Sequence, residues 1–298
     1  MTMTATPQST GVVTVLYHSR AVLPEFLDSL AAQTHRAFHL YAVDNASGDG
    51  SAGFITQRAA ELNIPLTLIL NDDNRGVAAG NNQGIRAALD AGCEYILLLN
   101  NDVRLDPALL HELLAGAVRT RAPITAPLIY LYDSPDRFWS AGGRFQPLLG
   151  YRPVHAAEKH RDRGQFSADS RIDYASSCCL LLHRSVFDRI GLMDERYFVY
   201  WDDPDLLLRA RRASLPLYLI PAARLWHRVG TSTGTVPGFT LHYATRNHAY
   251  YLRKHLPAPI AMFWIFLYTA VFAAGSPFSA RRRTQLRAWL EGCRIPLA

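Results

Sequence analysis

The strongest constraint on the fold is an alternation of strand-like and helix-like runs, repeated four times before residue 120. Val12-Val13-Thr14-Val15-Leu16-Tyr17 is a short apolar run rich in β-branched residues. Val22 to Gln33 follows, with Val22, Phe26, Leu27 and Leu30 at helical spacing. The pattern continues as a strand over Phe38 to Val43, a helix over Ser51 to Leu62 and a strand over Leu66 to Leu70. A helix over Val77 to Asp90 and a strand over Tyr95 to Leu99 come next. Asp106-Pro107 predicts an N-cap with proline at the first helical position, opening a helix through Val118. Strand–helix units in a row predict a parallel sheet with helices on both faces.

The rest of the chain is read more coarsely. Tyr130 to Asp173 is irregular and rich in Gly, Pro, Arg and His, with hairpin-like pieces. Tyr174 to His183 reads as a buried strand, and Asp203-Pro204 as the cap of a helix through Ala213. Leu217 to Trp226 is extended and Gly238 to His255 helical. Pro259 to Gly275 is almost wholly apolar, between Arg253-Lys254-His255 and Arg281-Arg282-Arg283. Basic flanks at both ends favour a segment lying at an anionic lipid surface. A core helix or an oligomer contact is the alternative. The expected division is a domain over 1–235, with halves at about 11–130 and 131–235, and a helical extension over 236–298.

Composition narrows the class. The 298 residues are 49% hydrophobic and 19% charged, which permits a sizeable core and argues against disorder. The net charge of +6 suits anionic partners. Cys93, Cys178, Cys179 and Cys293 are too few and too unevenly spaced for a disulfide framework, which fits a reducing cytoplasm. Met1 to Thr10 has no basic start followed by an apolar run, so no signal peptide is expected. Nucleic acid is not an expected partner, because the arginines are scattered and no recognition module is visible.

Four places carry chemistry-bearing residues. Asn100-Asn101-Asp102 leaves a strand at the carboxyl end of the sheet, where open α/β sheets bind ligands. A carboxylate there suits Mg²⁺ or Mn²⁺, and a solvent-exposed turn is the plain alternative. Gly76 to Gly84 brings small residues and a helix start near a ligand, or simply packs helix on sheet. Trp201-Asp202-Asp203-Pro204-Asp205 holds three acids whose mutual repulsion calls for a cation, a helix start or raised pKa values. A helix cap accounts for Asp203 and Asp205 and leaves Asp202 unexplained. His227 leaves a strand before the Gly- and Thr-rich stretch 230–234, where it would complete a metal site or serve only as structure.

Taken together, these segments resemble the family 2 glycosyltransferases, in their rhamnosyltransferase-like branch. The resemblance runs from about Val12 to Leu256, and its pieces occur in the family's order. They are Thr14 to Ser19, Val43 to Ser51, Asn74 to Gly84, Leu98 to Asp102, Asp194 to Arg212 and Trp226 to Arg228. The resemblance implies a GT-A fold: a Rossmann-like, mostly parallel α/β sheet flanked by helices. It implies an inverting transfer from a nucleoside-diphosphate sugar, dTDP-rhamnose in this branch, to a saccharide or lipid-linked acceptor in cell-surface polysaccharide synthesis. Thr14, Tyr17, Asp44, Asn45, Arg75, Gly76, Asn81, Asn82, Asn100 and Asn101 would then line the nucleotide and donor. Asp102 and His227 would hold the divalent cation, Asp203 would be the general base with Asp202 beside it, and Trp201 and Ser176 would meet the acceptor. The expected location is the cytoplasmic side, peripheral at the inner face of the membrane, with a second copy of the chain as a further partner.

Three departures qualify the resemblance. Asn100 stands where the family's metal motif has its first acid, Asp202 where a Glu is more usual, and Ser177 where a glycine is common. The loss at Asn100 keeps open a catalytically impaired, nucleotide-sugar-binding or scaffold protein of the same fold. A nucleotidylyltransferase would need a Gly-rich basic signature near the first strand, which Val12 to Arg20 lacks. A processive synthase would need several membrane helices and a Gln-x-x-Arg-Trp motif.

Overall fold

The computed structural model describes residues 10–230 and 238–297. In chain order its elements are β1 (Thr10–Leu16), α1 (Leu23–Ala31), β2 (Phe38–Asn45), α2 (Ser51–Glu61), β3 (Leu66–Asn71), α3 (Gly76–Asp90) and β4 (Tyr95–Leu99). Then come β5 (Val103–Leu105), α4 (Leu109–Thr120), β6 (Ile124–Leu131), β7 (Ser134–Ser140), β8 (Gly143–Gln146), β9 (Arg152–His155), β10 (Ser170–Ile172) and β11 (Cys179–His183). The chain continues through α5 (Arg184–Ile190), α6 (Asp202–Arg212), β12 (Leu217–His227), α7 (Phe239–His255), α8 (Ala258–Gly275) and α9 (Ala280–Gly292).

One mixed sheet carries the site, in the order β10-β12-β6-β11-β4-β1-β2-β3, with β5 on β12 and β7 on β6. The predicted parallel units hold over β1 to β4. β11 then enters antiparallel between β4 and β6, while β12 returns parallel to β6. Alternate residues of each strand serve the two faces. Val12 and Leu16 of β1 pack with Phe26, Ile55 and Leu113 of α1, α2 and α4. Val13 faces the other side, with Ile85, Val186, Leu206 and Tyr250 of α3, α5, α6 and α7. β4 is buried along its whole length, as its continuous apolar run requires of a strand covered on both faces. Gly80 and Gly84 serve this packing, because an added Cβ would come within 2.9 and 2.5 Å of Val15 and Val13.

Three boundaries differ from the sequence reading. α4 begins at Leu109, and Asp106 heads the preceding turn by accepting from the Ala108 amide at 2.9 Å. The strand expected over 174–183 is regular only from Cys179, since 177–178 turn at the cavity edge. Asp203 is not the cap of α6: the helix starts two residues earlier than expected, at Asp202 instead of Pro204, and Trp201 in a left-handed conformation takes the cap position.

The three C-terminal helices do not form one uniform layer. Tyr250 and Tyr251 of α7 lie fully inside the main core. α9 packs so closely on α7 that a Cβ on Gly292 would lie 1.9 Å from the Arg246 carbonyl oxygen. α8 buries Phe272 against Trp289 and Leu252, yet leaves Met262, Phe263 and Phe266 at 70%, 60% and 75% exposure. It is 18 residues long with mean hydropathy 1.7, and only 11% of it is buried. The core-helix alternative for this segment is therefore not what the fold contains. The proposed boundary at 235/236 falls outside the described residues.

Candidate active site

Strand register explains how Asp102 meets a histidine far along the chain. β5 pairs antiparallel with the end of β12, so His227 stands opposite Val103, next to Asp102. The Arg228 amide donates to the Asp102 carbonyl at 2.9 Å, which locks the pair. His227 Nε2 lies 3.2 Å from Asp102 Oδ1, and both side chains are nearly buried. Burial opposes a charge on the ring, but the Cys178 sulfur and the Asp102 carboxylate outweigh it and raise His227 to about 10. Nδ1 of the same ring is buried with no hydrogen-bond partner among the described residues.

A second set of contacts ties this pair to the acidic helix start. The Asn100 amide donates to the Cys178 carbonyl at 2.9 Å, placing the 174–178 turn beside β4. From that turn, the Ser177 amide and the Tyr174 hydroxyl donate to Asp203 Oδ2 at 3.2 and 3.1 Å. Burial is the largest influence on Asp203 and raises its pKa, against the hydrogen bonds from Ser177, Tyr174 and Ser176. Burial and the neighbouring Asp203 charge raise Asp202 as well. The two adjacent acids therefore titrate far closer to neutrality than ordinary aspartates.

Asp205 has a different task. Fully buried, it accepts from Arg209 Nε at 2.8 Å and Tyr197 Oη at 3.2 Å, and meets Lys254 Nζ at 2.6 Å and His255 Nε2 at 2.7 Å. Burial works against its charge, but the His255 hydrogen bond and the two cations hold its carboxyl far below the usual range. The third acid of the cluster is thus neutralised by α6 and α7, and no bound cation is needed to explain it.

A cavity of about 860 Å³ gathers the two clusters. Tyr17, Asn45, Gly76, Asn81, Asn100, Asn101, Asp102, Ser176, Trp201, Asp202, Asp203 and His227 all line it. Thr14, Asp44, Arg75 and Asn82 are not in its lining. Thr14 is wholly buried in β1, and Asp44 holds the Ser47 amide and hydroxyl. Arg75 pairs with Asp73 at the surface, and the Asn82 amide binds Met193 and Glu195. Asn74, not singled out in the sequence, lines the cavity and accepts from the Gly76 amide, two residues on, at 2.9 Å.

Trp139 and His155 were also missed. They come from the irregular middle segment, where no periodicity marks a residue as inward-facing. Trp139 lies 4.7 Å from the His227 ring and 5.0 Å from His155, at near-perpendicular and tilted angles. His155 is held by Ser140 at 2.9 Å, and burial lowers its pKa, so its ring is neutral. Among the described residues, no group of three or more His, Cys, Asp and Glu could hold an ion. Asp102 and His227 offer one oxygen and one nitrogen ligand. That set suits a cation whose other ligands come from a diphosphate and water.

Comparison with known proteins agrees with this geometry. Residues 11–191 match Glycosyl transferase family 2. The N-acetylglucosaminyl-diphospho-decaprenol L-rhamnosyltransferase of Mycobacterium tuberculosis is 30% identical over 81% of this chain and 82% of its own length. The dTDP-rhamnosyl transferase RfbF of Shigella flexneri is 26% identical over 64% of each chain. Among solved structures, GalNAc-T7 with UDP, GalNAc and Mn²⁺ shares the fold at a TM-score of 0.62 and 16% identity. That match covers 81% of this chain, which spans about half (48%) of the GalNAc-T7 chain. A GT-A sheet with polar residues and paired acids gathered at one cavity, and relatives matched over most of the chain, lead to one conclusion: the chain belongs to glycosyl transferase family 2.

Proposed function

We propose that the cavity transfers rhamnose, with inversion, from dTDP-rhamnose to a lipid-linked saccharide in cell-surface polysaccharide synthesis. The observation that carries this reading is the meeting of the Asp102–His227 pair and Asp203 on one cavity. The donor and acceptor follow the names of the Shigella and Mycobacterium relatives. The donor side of the transfer unit is 11–130 and the acceptor side 131–235, and α7 completes it, lining the same cavity with Phe239, Thr240 and Ala244.

Inverting displacement needs a base on the face opposite the departing diphosphate. Asp203 is that base in this reading: half-buried at the cavity wall, fixed by Ser177 and Tyr174, and raised in pKa so that it accepts a proton near neutral pH. Asp202 and Trp201 orient the acceptor with Ser176. Tyr17, Asn45, Gly76, Asn81, Asn100 and Asn101 bound the nucleotide-sugar side. Asp102 and His227 would hold Mg²⁺ or Mn²⁺, with His227 giving up on ligation the proton that its raised pKa otherwise keeps, and the cation's charge would stabilise the leaving diphosphate. His227 Nε2 already stands beside Asp102 Oδ1, and both residues line the cavity.

Ligand linkage tests the donor side. Saturating dTDP with Mn²⁺ should raise Tm, since about hundredfold excess over Kd contributes about 2.7 kcal/mol. In Asp102→Ala the metal-dependent part of the shift should vanish. A protein whose Tm ignores every nucleotide would rule out donor binding.

The exposed face of α8 supports a location at an anionic membrane surface, at the cytoplasmic side. Its exposed apolar residues are followed by the basic run Arg281-Arg282-Arg283, whereas Lys254 and His255 on the other side are spent on Asp205, and each buried aromatic contributes about 1.5–3 kcal/mol on leaving water. Replacing Met262, Phe263 and Phe266 by Ser should abolish co-sedimentation with anionic vesicles while a water-soluble acceptor is still turned over. Undiminished vesicle binding would exclude this face.

A further inference from the structure

The backbone just before the acidic pair is strained. Phe198, Tyr200 and Trp201 have φ of 59°, 62° and 69°, and none is glycine. Bulky L-residues are crowded there, and such a path persists only where its surroundings over-determine it. The segment also joins the two sides of the cavity. Its Phe198 carbonyl accepts from the Val77 amide at the start of α3, and a Cβ on Gly76 would lie 2.5 Å from that oxygen. Its other end, Trp201, is the cap of α6, whose first two residues are Asp202 and Asp203.

The restraint comes from α7. Asn247 is fully buried, and its amide nitrogen faces the carbonyls of Tyr197, Val199 and Tyr200, the last two at 2.7 and 3.1 Å. Its oxygen accepts from Arg246 Nη1 at 2.6 Å. One turn away, Trp201 Nε1 donates to the Ala244 carbonyl at 2.9 Å, and the indole stacks on His248 at 4.5 Å and 7°. α7 cannot easily yield, because α9 packs behind it so closely that a Cβ on Gly292 would meet the Arg246 carbonyl oxygen.

We propose that Asn247 is a positioning residue: from α7 it holds residues 197–201 in the left-handed path that presents Asp202 and Asp203 to the cavity. The proposal rests on the reading of Asp203 as the base. A side chain that only stabilised the fold would act on Tm and leave turnover of the folded enzyme alone.

The test is Asn247→Ala in the full chain, with dTDP binding, Tm, kcat, KM for donor and the pH profile of kcat measured together. The expected result is unchanged dTDP affinity and donor KM, a kcat lower by about 10²-fold, as for a catalytic group misplaced by about 1 Å, and a displaced acid limb. A kcat and acid limb equal to wild type, whatever happens to Tm, would overturn the proposal. Should Asn247→Ala not fold, Asn247→Ser keeps one donor and carries the same comparison at smaller amplitude. Asp203→Asn is assayed alongside. Activity surviving that change would remove the base reading and this inference with it. An inactive Asp203→Asn beside a fully active Asn247→Ala would remove this inference alone.

Discussion

Asp203→Asn should lower kcat by about 10²–10⁴-fold, the usual contribution of a positioned general base, while dTDP binding stays close to wild type. The change is nearly isosteric, and the amide oxygen can still accept from Ser177 and Tyr174. The base works ionised, so wild-type kcat should fall as pH drops through its raised pKa, closer to neutrality than for an ordinary aspartate. Stability should move the other way. Burial makes ionisation of Asp203 costly in the fold and free in the unfolded chain, so its contribution to stability is lost as pH rises through the folded pKa. Asp203→Asn should therefore raise Tm at neutral pH, and the gain should disappear near about pH 4, where the unfolded carboxyl itself protonates. A variant that is inactive but no more stable at neutral pH would refute the burial argument while leaving the base intact.

Asp205→Ala should destabilise the protein by about 3 kcal/mol, measured by urea unfolding, the lower end of the range for breaking a buried ion pair. The lower end applies because Lys254 keeps Asp194 at 2.7 Å and Arg209 keeps the Leu192 carbonyl at 2.8 Å. Asp205 has a depressed pKa, so it stabilises the fold above the ordinary carboxylate range and that stability is lost as pH falls toward its folded value. A loss below about 1 kcal/mol would mean that the network contributes no more than a surface pair. The two neighbouring acids thus predict opposite signs: neutralising Asp203 stabilises, and removing Asp205 destabilises.

What could be read from the sequence follows physical lines. The β1 to α4 alternation was legible because periodicity is a local property: Phe26, Leu27 and Leu30 are buried as their spacing requires, while Val22 is the half-buried cap of α1 and Leu23 takes the core position instead. The antiparallel insertion of β11 was not, because a buried apolar run carries no sign of its direction. Asp102 and His227 stand out one by one as residue types at strand ends; only the family resemblance pairs them, because their meeting depends on the β5–β12 register, which is non-local. Asp203-Pro204 carries a genuine helix-start signal. The tertiary clamp on residues 197–201 moved the start to Asp202 and freed the Asp203 side chain for Ser177. Asn82 shows the reverse. It stands in a Gly/Asn-rich run that reads as donor-facing, yet its amide is spent on Met193 and Glu195. Trp139 and His155 reach the cavity through a segment without periodicity and gave no local signal.

The most direct measurement of the whole account is product analysis with dTDP-rhamnose, Mg²⁺ or Mn²⁺ and an N-acetylglucosaminyl-diphospho-polyprenol acceptor, reading the anomeric configuration by NMR. The expected product is a rhamnosylated lipid whose new linkage has the configuration opposite to the donor's, formed by the wild type and not by Asp203→Asn. A linkage of retained configuration, or an enzyme that consumes no nucleotide sugar at all, would contradict it.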